Sequence, residues 1–400
     1  MSSSETPTPR PGAQNLVLAS VSAATLAALP SMLLGGLALL VRDELKFGAF
    51  ELGAAIAVFF AVSAVVSVPA GFLSERIGPR RTLLAGAAIT TFALIGAGAL
   101  SDSWATFIPW MAIGGAGNTL TQVSTNHLIA RRVPAHRQGL AYGVKQSAIP
   151  LAGTVAGLAL PILGLSVGWR ATYGLAALGF IPVVLLLRQL PRPARQPQRT
   201  PRSGDAPIPA LTLLSIGAGL ATAAGSALTA FTVAAAVNAG FEASAAGLLL
   251  AAGSLAGVSA RVGGGWIADR MGHGSLLLAG GLVGAGVFGY LGLAFNGPAV
   301  TTVVATLVAF AGGWGYPGLV LLAVARTNPR SPATAMGVIR LGPSVGAIIG
   351  PLAFGAVVDG PGYSVAWLMA AAAALASAVL LLVARRSLRP YRGQRTEDGR

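Results

Sequence analysis

Three cationic side chains, Lys145, Arg261 and Arg340, lie inside long apolar runs of this chain. If these runs cross a membrane, each buried cation costs about 2.5–3.5 kcal/mol on insertion scales, and such residues generally mark functional sites. All 12 acidic residues can be placed outside the apolar runs, so no buried carboxylate offsets these charges. The pattern predicts a binding site for an anion. The alternative is that each long side chain reaches the polar headgroups at the membrane surface.

Amide side chains recur on one face of the fourth apolar run. Asn118, Gln122 and Asn126 follow one another at four-residue intervals and therefore share one side of a helix. A polar face of this kind is disfavoured against lipid. We expect it to line a cavity or to hydrogen-bond with a neighbouring helix.

Further polar and aromatic residues near the cations complete the candidate binding set. Tyr142 and Gln146 flank Lys145 in its apolar run. In the tenth run, Trp314 and Tyr316 stand among several glycines and a proline, which predicts a distorted helix with exposed backbone groups. Either aromatic ring could contact a ligand or pack against neighbouring helices.

Apolar segments long enough to cross a bilayer recur along the whole chain. Hydrophobic residues make up 54% of it and charged residues 10%, whereas soluble proteins carry about 25% charged residues. About 20 apolar residues in a helix span the hydrocarbon core. The predicted fold is an all-α polytopic membrane protein with twelve spans. They are numbered in chain order: 15–41, 50–73, 82–101, 104–130, 138–164, 169–190, 209–237, 243–268, 275–295, 298–326, 334–358 and 363–386.

A basic, proline-rich linker divides the spans into two bundles of six. The expected parts are a tail (1–14), an N-terminal bundle (15–190), the linker (191–208), a C-terminal bundle (209–387) and a second tail (388–400). Twelve spans place both termini on one side. Of the 27 Lys and Arg residues, only Arg42, Lys46 and Arg170 fall at the opposite side, and three, Lys145, Arg261 and Arg340, lie well inside spans rather than at their ends. The positive-inside rule therefore predicts cytoplasmic termini in a plasma (inner) membrane.

Other classes of function are disfavoured. The chain has no Cys and only three scattered His, so we expect no metal site. A glycine pattern at Gly284–Gly289 lies within a span and follows no strand, which argues against a dinucleotide site. The net charge of +15 comes from short clusters between spans rather than from one basic face, so nucleic acid is not expected. We predict no enzyme activity and no cofactor.

One motif occurs twice in the chain, and both copies read G-x-x-x-(D/E)-R-x-G. The first copy comprises Gly71, Glu75, Arg76 and Gly78, followed by Arg80 and Arg81. The second comprises Gly265, Asp269, Arg270 and Gly272. The two acids are 194 residues apart, and Gly143 and Gly337 show the same spacing. An offset near half of 400 residues indicates that the chain contains two repeats of one structural unit.

In this doubled motif, the twelve spans and the basic linker, the chain resembles the major facilitator superfamily of secondary transporters over nearly its whole length. The resemblance implies two six-helix bundles around a central cavity and alternating access by rocking. It also implies that the motif loops, each after the second span of its half, latch the halves in the outward-facing state.

The chain departs from the family pattern at several positions. Glu75 replaces the usual Asp, and span four lacks the arginine common in proton-coupled members. The span-five pattern of drug antiporters is degenerate around Pro150 and Gly153. These departures weaken the interpretation as a proton/drug antiporter.

Three functions remain open on this basis. The first is transport of a small organic anion, such as a carboxylate, with Lys145 and Arg340 as counter-charges. A proton carried on the substrate or a counter-anion would then provide coupling, unless transport is uncoupled. The second is efflux of amphipathic drugs or metabolites. The third is a receptor or scaffold built on a transporter fold, which the intact motifs disfavour.

The latch predicts the effect of one substitution. We expect Asp269→Asn to loosen the outward-facing state, because it removes a motif charge that pairs across the two halves. Distances between spin labels placed on the two bundles report the inward and outward populations. Unchanged populations in the variant would refute the latch.

Overall fold

The computed structural model describes residues 11–133, 141, 143–189, 208–271, 274–295, 297–327 and 332–388. Side chains are described in the same ranges except at 11–14, 325–326 and 332–334. The predicted tails and central linker lie outside the described residues apart from their margins. Tyr142 and Gly272 also lie outside them.

The first bundle contains six crossings. Span one is Pro11–Gly36 continued by Ala38–Leu45, span two is Ala49–Ile77, span three is Pro79–Leu100 and span four is Trp104–Arg132. Span five is helical at 143–146 and continues as Ala148–Ala159 and a π-helical turn, Leu160–Gly164. Span six lies within Leu165–Ala176, Ala177–Gly179 and Phe180–Arg188. Gly168 has a φ of +81°, which glycine adopts without steric cost, and it breaks the helix between spans five and six.

The second bundle repeats this organisation with fewer interruptions in the described helices. Its crossings are span seven (Ile208–Asn238), span eight (Ala243–Arg270), span nine (Ser275–Ala294), span ten (Ala299–Gly315 and Pro317–Thr327), span eleven (Pro332–Asp359) and span twelve (Tyr363–Ser387). Within the described ranges span ten is the one crossing of this bundle that is interrupted. The break falls at Tyr316, directly before Pro317, where the sequence predicted a distorted helix.

The predicted all-α fold of two six-helix bundles is confirmed. Ten apolar segments of the described chain are long enough to cross a bilayer, and one of them, Gly143–Arg188, contains both span five and span six. Span four, at 29 residues, is also long enough but carries more polar side chains. Helices satisfy their own backbone groups, which is why an apolar chain of this kind folds as helices in lipid.

The first copy of the motif lies within helices rather than in a loop. Glu75 and Arg76 belong to the last turn of span two. The whole connection is Gly78, whose φ of +90° reverses the chain, and Pro79 then begins span three. The expectation of a motif loop was therefore wrong in extent, because one glycine with a positive φ suffices for the turn. Arg80 and Arg81 lie in the first turn of span three.

The two bundles meet closely at the end opposite the motif, which we call the far end. A Cβ built on Gly53 of span two would lie 2.2 Å from the carbonyl oxygen of Pro351 in span eleven. A Cβ on Gly355 of span eleven would lie 2.3 Å from the carbonyl oxygen of Ala49. These distances leave no room for a side chain, so glycine lets the two backbones touch.

A carboxylate from the second bundle caps a helix of the first at the far end. Asp359, the last residue of span eleven, accepts hydrogen bonds from the backbone N–H groups of Ala49 (3.0 Å) and Phe50 (2.7 Å). Glu51 accepts from the Gly48 N–H at 3.0 Å. Three N–H groups at the start of span two, which have no partner within the helix, are thereby satisfied. The negative charge of Asp359 also lies at the positive end of the helix dipole.

A second carboxylate holds the far end of the first bundle together. Glu44 accepts hydrogen bonds from Arg170 Nε at 2.7 Å and from Trp169 Nε1 at 2.6 Å, which joins spans one and six. The hydrogen bond from Arg170 lowers the pKa of Glu44 below its usual value, although burial opposes the shift.

The end that carries the motif, which we call the motif end, shows no such contact at four glycines of the described chain. These are the two repeat-related pairs, Gly71 with Gly265 and Gly143 with Gly337, and a Cβ on any of the four would meet nothing within 4 Å. The close backbone contacts described between the two bundles therefore lie away from these glycines.

The close approach at the far end predicts a conformational shift in Gly53→Ala. The added methyl would collide with backbone atoms that cannot rotate away, and overpacking of this kind costs about 1–3 kcal/mol. We expect the far end to open, with longer spin-label distances between spans two and eleven. Gly281→Ala, at a glycine with open space around it, is the matched control. Equal distances in both variants would contradict the prediction.

The cap at Asp359 predicts a smaller shift in the same direction. Loss of a capping carboxylate costs about 1 kcal/mol, which is about a fivefold change in a conformational equilibrium. We therefore expect Asp359→Ala to favour the state that is open at the far end, measured with the same labels. Asp43→Ala removes an exposed acid whose partner, Lys46, lies three residues away in the same segment. If this control shifts the populations as much as Asp359→Ala does, the cap does not hold the bundles together.

Candidate substrate-binding site

Arg261 joins the two bundles through backbone carbonyls that helix breaks leave free. Pro150 has no N–H to donate to Gln146, four residues earlier, so that carbonyl lacks its helical partner. The first helix of span ten ends at Gly315, so the carbonyl of Trp314 lies in its last turn and has no partner within that helix. Arg261 of span eight donates from Nη1 to the Gln146 carbonyl in span five and from Nε to the Trp314 carbonyl in span ten. One guanidinium thus satisfies two orphaned acceptors and bridges the halves.

Lys145 lies just before this break in span five and is only 2% exposed. Its ammonium donates to Gln122 Oε1 and, at 3.1 Å, to Asn126 Oδ1. Both acceptors belong to the polar face of span four. An ammonium carries three hydrogens, and nothing in the described part of the chain accepts the third. Lys145 therefore retains one N–H donor beyond those that the described residues accept.

Arg340 approaches from the other bundle, on a turn of span eleven that a hydroxyl group of span seven contacts. Ser215 Oγ donates to the Val338 carbonyl at 2.8 Å and accepts from the Gly342 N–H at 2.9 Å. These two backbone groups are four residues apart in the helix, so the serine joins this turn of span eleven to span seven. The side chain of Arg340 is exposed, and its positive charge acts on the ammonium of Lys145.

The three predicted cations thus lie near the meeting of the two bundles, and neutral oxygens hold two of them. Lys145 and Arg261 bond to amide and carbonyl oxygens, and no described carboxylate pairs with either. Among the described side chains, no group of three or more His, Cys, Asp or Glu could bind a metal ion. The chemistry available at this place is the binding of negative charge.

The polar face of span four divides between two tasks. Gln122 and Asn126 hold Lys145, whereas Asn118 Nδ2 donates to Ser63 Oγ of span two at 3.2 Å. The neighbouring Thr119 donates to the Ser63 carbonyl at 2.6 Å. The part of this polar face nearer the far end therefore joins span four to span two. The part nearer the motif end binds the ammonium of Lys145.

Trp314 and Tyr316 pack against span seven in this conformation. Trp314 Nε1 donates to Thr229 Oγ1 at 3.0 Å. The Tyr316 hydroxyl lies 2.6 Å from Thr222 Oγ1 and 2.9 Å from the Ala218 carbonyl. Both rings are buried, so of the two roles that the sequence left open the structure shows helix packing. Trp314 also adjoins the cations, since its ring centroid lies 5.6 Å from the guanidinium carbon of Arg261.

Other predicted residues occupy different places. Gln146 contributes its backbone carbonyl, which the sequence analysis did not anticipate. The motif residues form a separate group at the motif end, where Glu75 and Arg76 are exposed. Arg270 stacks on Trp266, one turn earlier in span eight, at 3.3 Å from the ring centroid. The positions of Pro150 and Pro317, each near a freed carbonyl, were the signal that could have located the partners of Arg261.

The chain matches known proteins across nearly its whole length. A model described as the Major Facilitator Superfamily matches residues 19–298 and, again, residues 214–399. The uncharacterized MFS-type transporter Rv1250 of Mycobacterium tuberculosis (strain ATCC 25618 / H37Rv) is 29% identical over 160 residues, which is 40% of this chain. The matching region spans only 28% of the length of that relative.

Solved structures share the fold at low sequence identity. A bacterial homologue of the human lysosomal transporter Spinster, in an inward-facing and unoccupied conformation, aligns with a TM-score of 0.69 at 17% identity, over 98% of this chain and 99% of that one. A D-xylose–proton symporter aligns with a TM-score of 0.73 at 15% identity, over 92% and 97% of the two chains. With the family model matching both halves and twelve crossings in two bundles, this chain belongs to the Major Facilitator Superfamily of membrane transporters.

Proposed function

We propose that this transporter moves a small organic anion, of the carboxylate class, by alternating access. The observation that supports this most directly is Lys145, a buried ammonium with two neutral partners and a third N–H that no described residue accepts. Arg340 adds a second positive charge from the opposite bundle. An anion between them would accept the free N–H of Lys145 and offset the repulsion between two like charges.

The two counter-charges belong to different bundles, so binding of an anion between them would affect how the bundles are positioned. Lys145 belongs to span five and Arg340 to span eleven, and span eleven takes part in the far-end closure through Pro351 and Gly355. A bound anion would draw the two cations together and so favour closure around itself. Arg261 holds the two bundles together through its hydrogen bonds to the carbonyls of Gln146 and Trp314.

The positive-inside distribution sets the proposed direction of the opening. With the motif end at the cytoplasm, the structure is the inward-facing state and the far end is the closed external gate. The anion site then opens to the cytoplasm in this state. We propose the plasma (inner) membrane of a bacterium as the location, with both termini cytoplasmic.

Charge-neutral variants of the two cations provide the test. We expect Lys145→Gln and Arg340→Gln to lower kcat/KM for anion uptake by about tenfold or more, because a hydrogen bond to a charged group contributes about 1.5–3 kcal/mol. Uptake of lactate, succinate, citrate and benzoate into proteoliposomes measures this. Gln at position 145 retains N–H donors for its two amide partners, so the fold should be preserved.

Lys46→Gln is the matched control, because Lys46 is an exposed lysine at the far end. Wild-type rates for all four anions in both site variants would overturn the proposal. Export that protects cells from amphipathic cationic drugs, without uptake of any of the anions, would establish drug efflux instead.

A further inference from the structure

Lys145 is the group beside the proposed anion site that can exchange a proton. Arginine stays charged in proteins, so Arg261 and Arg340 keep their protons, whereas a buried lysine ammonium can lose one. Every described acid lies in a loop or in the terminal turn of a helix, as Glu51, Glu75, Asp269 and Asp359 illustrate. No described carboxylate inside a span is therefore available for this role.

The surroundings of Lys145 suit both of its protonation states. The ammonium has three hydrogens and the neutral amine has two. The described acceptors are two amide oxygens, those of Gln122 and Asn126. When the ammonium loses its third proton, the neutral amine still has two N–H groups, one for each of the two amide oxygens. A buried lysine held by a carboxylate would instead leave an uncompensated negative charge when it became neutral.

Within the described residues, the charged groups around Lys145 are all cationic or turned to other partners. Span eleven presents Arg340, and span eight presents Arg261, which bonds to the Gln146 carbonyl. Span one has no ionisable residue between Asn15 and Gly36.

Span four contributes three further ionisable groups near the motif end. Its His127 lies 2.9 Å from Ser74 Oγ of span two, measured from Nδ1, and Arg131 and Arg132 follow at the end of the helix. Cations alone around an ammonium favour the neutral amine, and an arriving anion reverses that preference.

We propose that Lys145 binds a proton when the organic anion binds and releases it when the anion leaves. This inference rests on the proposed anion transport and assigns its coupling to the protein rather than to the substrate. The lone pair of the neutral Nζ takes the proton, and the resulting N–H donates to the anion. Binding of either species then strengthens binding of the other by the same factor. A monovalent anion would move together with one proton.

The test measures proton uptake by purified full-length protein in a weakly buffered detergent solution with a pH indicator. The probes are lactate, succinate, citrate and benzoate, each added at matched pH. We expect wild type to take up about one proton per bound anion near neutral pH, and its affinity to fall at least tenfold as Lys145 becomes neutral at higher pH. Lys145→Arg keeps the charge but cannot exchange the proton, so we expect binding without proton uptake.

Two further variants keep the test decisive. Lys145→Gln should also take up no proton, and it covers the case in which the longer arginine disturbs folding. Lys46→Arg, the same substitution at an exposed lysine of the far end, should match wild type. If Lys145→Arg takes up as many protons as wild type, the inference is overturned. The proton would then bind to the substrate or to another group such as His127.

The remaining outcomes separate this inference from the function on which it rests. Anion binding by wild type with no proton uptake would overturn Lys145 coupling and leave anion transport standing. If wild type neither binds nor transports any of the four anions, the proposed function fails and the coupling fails with it.

Discussion

The Arg261 bridge depends on a constraint that lipid imposes on every backbone: each carbonyl and N–H group needs a partner inside the protein. Pro150 in span five and the helix end at Gly315 in span ten leave the carbonyls of Gln146 and Trp314 without helical partners. Arg261 satisfies both with one guanidinium and thereby joins the two bundles. A permanent cation is stable at this depth because neutral oxygens surround it. The remaining charges of the site are arranged around this bridge.

Two helix breaks and one contacted turn accompany the three cations. Lys145 lies beside the break that precedes Pro150, and Arg261 binds the carbonyls that this break and the one at span ten release. Arg340 sits on the turn whose backbone groups Ser215 contacts. Irregular backbone in a membrane protein occurs where it lines a cavity or is buried in protein. The grouping of these features supports the candidate site independently of the charges.

Different interactions occur at the two ends of the molecule. At the far end, glycines permit backbone contact and Asp359 caps a helix of the opposite bundle, so the contact is close and specific. At the motif end, the repeat-related glycines face open space, and most of the charged motif residues are exposed. Close packing sets a preferred geometry at one end, whereas solvated charges at the other can pair or separate at small cost.

The sequence by itself determined the twelve crossings, the doubled motif, the break in span ten and the presence of three cations without buried acids. These properties follow from composition and spacing, because the bilayer requires long apolar helices and penalises unpaired charge. Only the tertiary structure decided which oxygens hold Lys145 and Arg261, that Trp314 and Tyr316 pack on span seven, and that Asp359 reaches span two. These contacts join residues from 19 to 310 positions apart. No local pattern encodes such pairings, since they depend on how the two bundles meet.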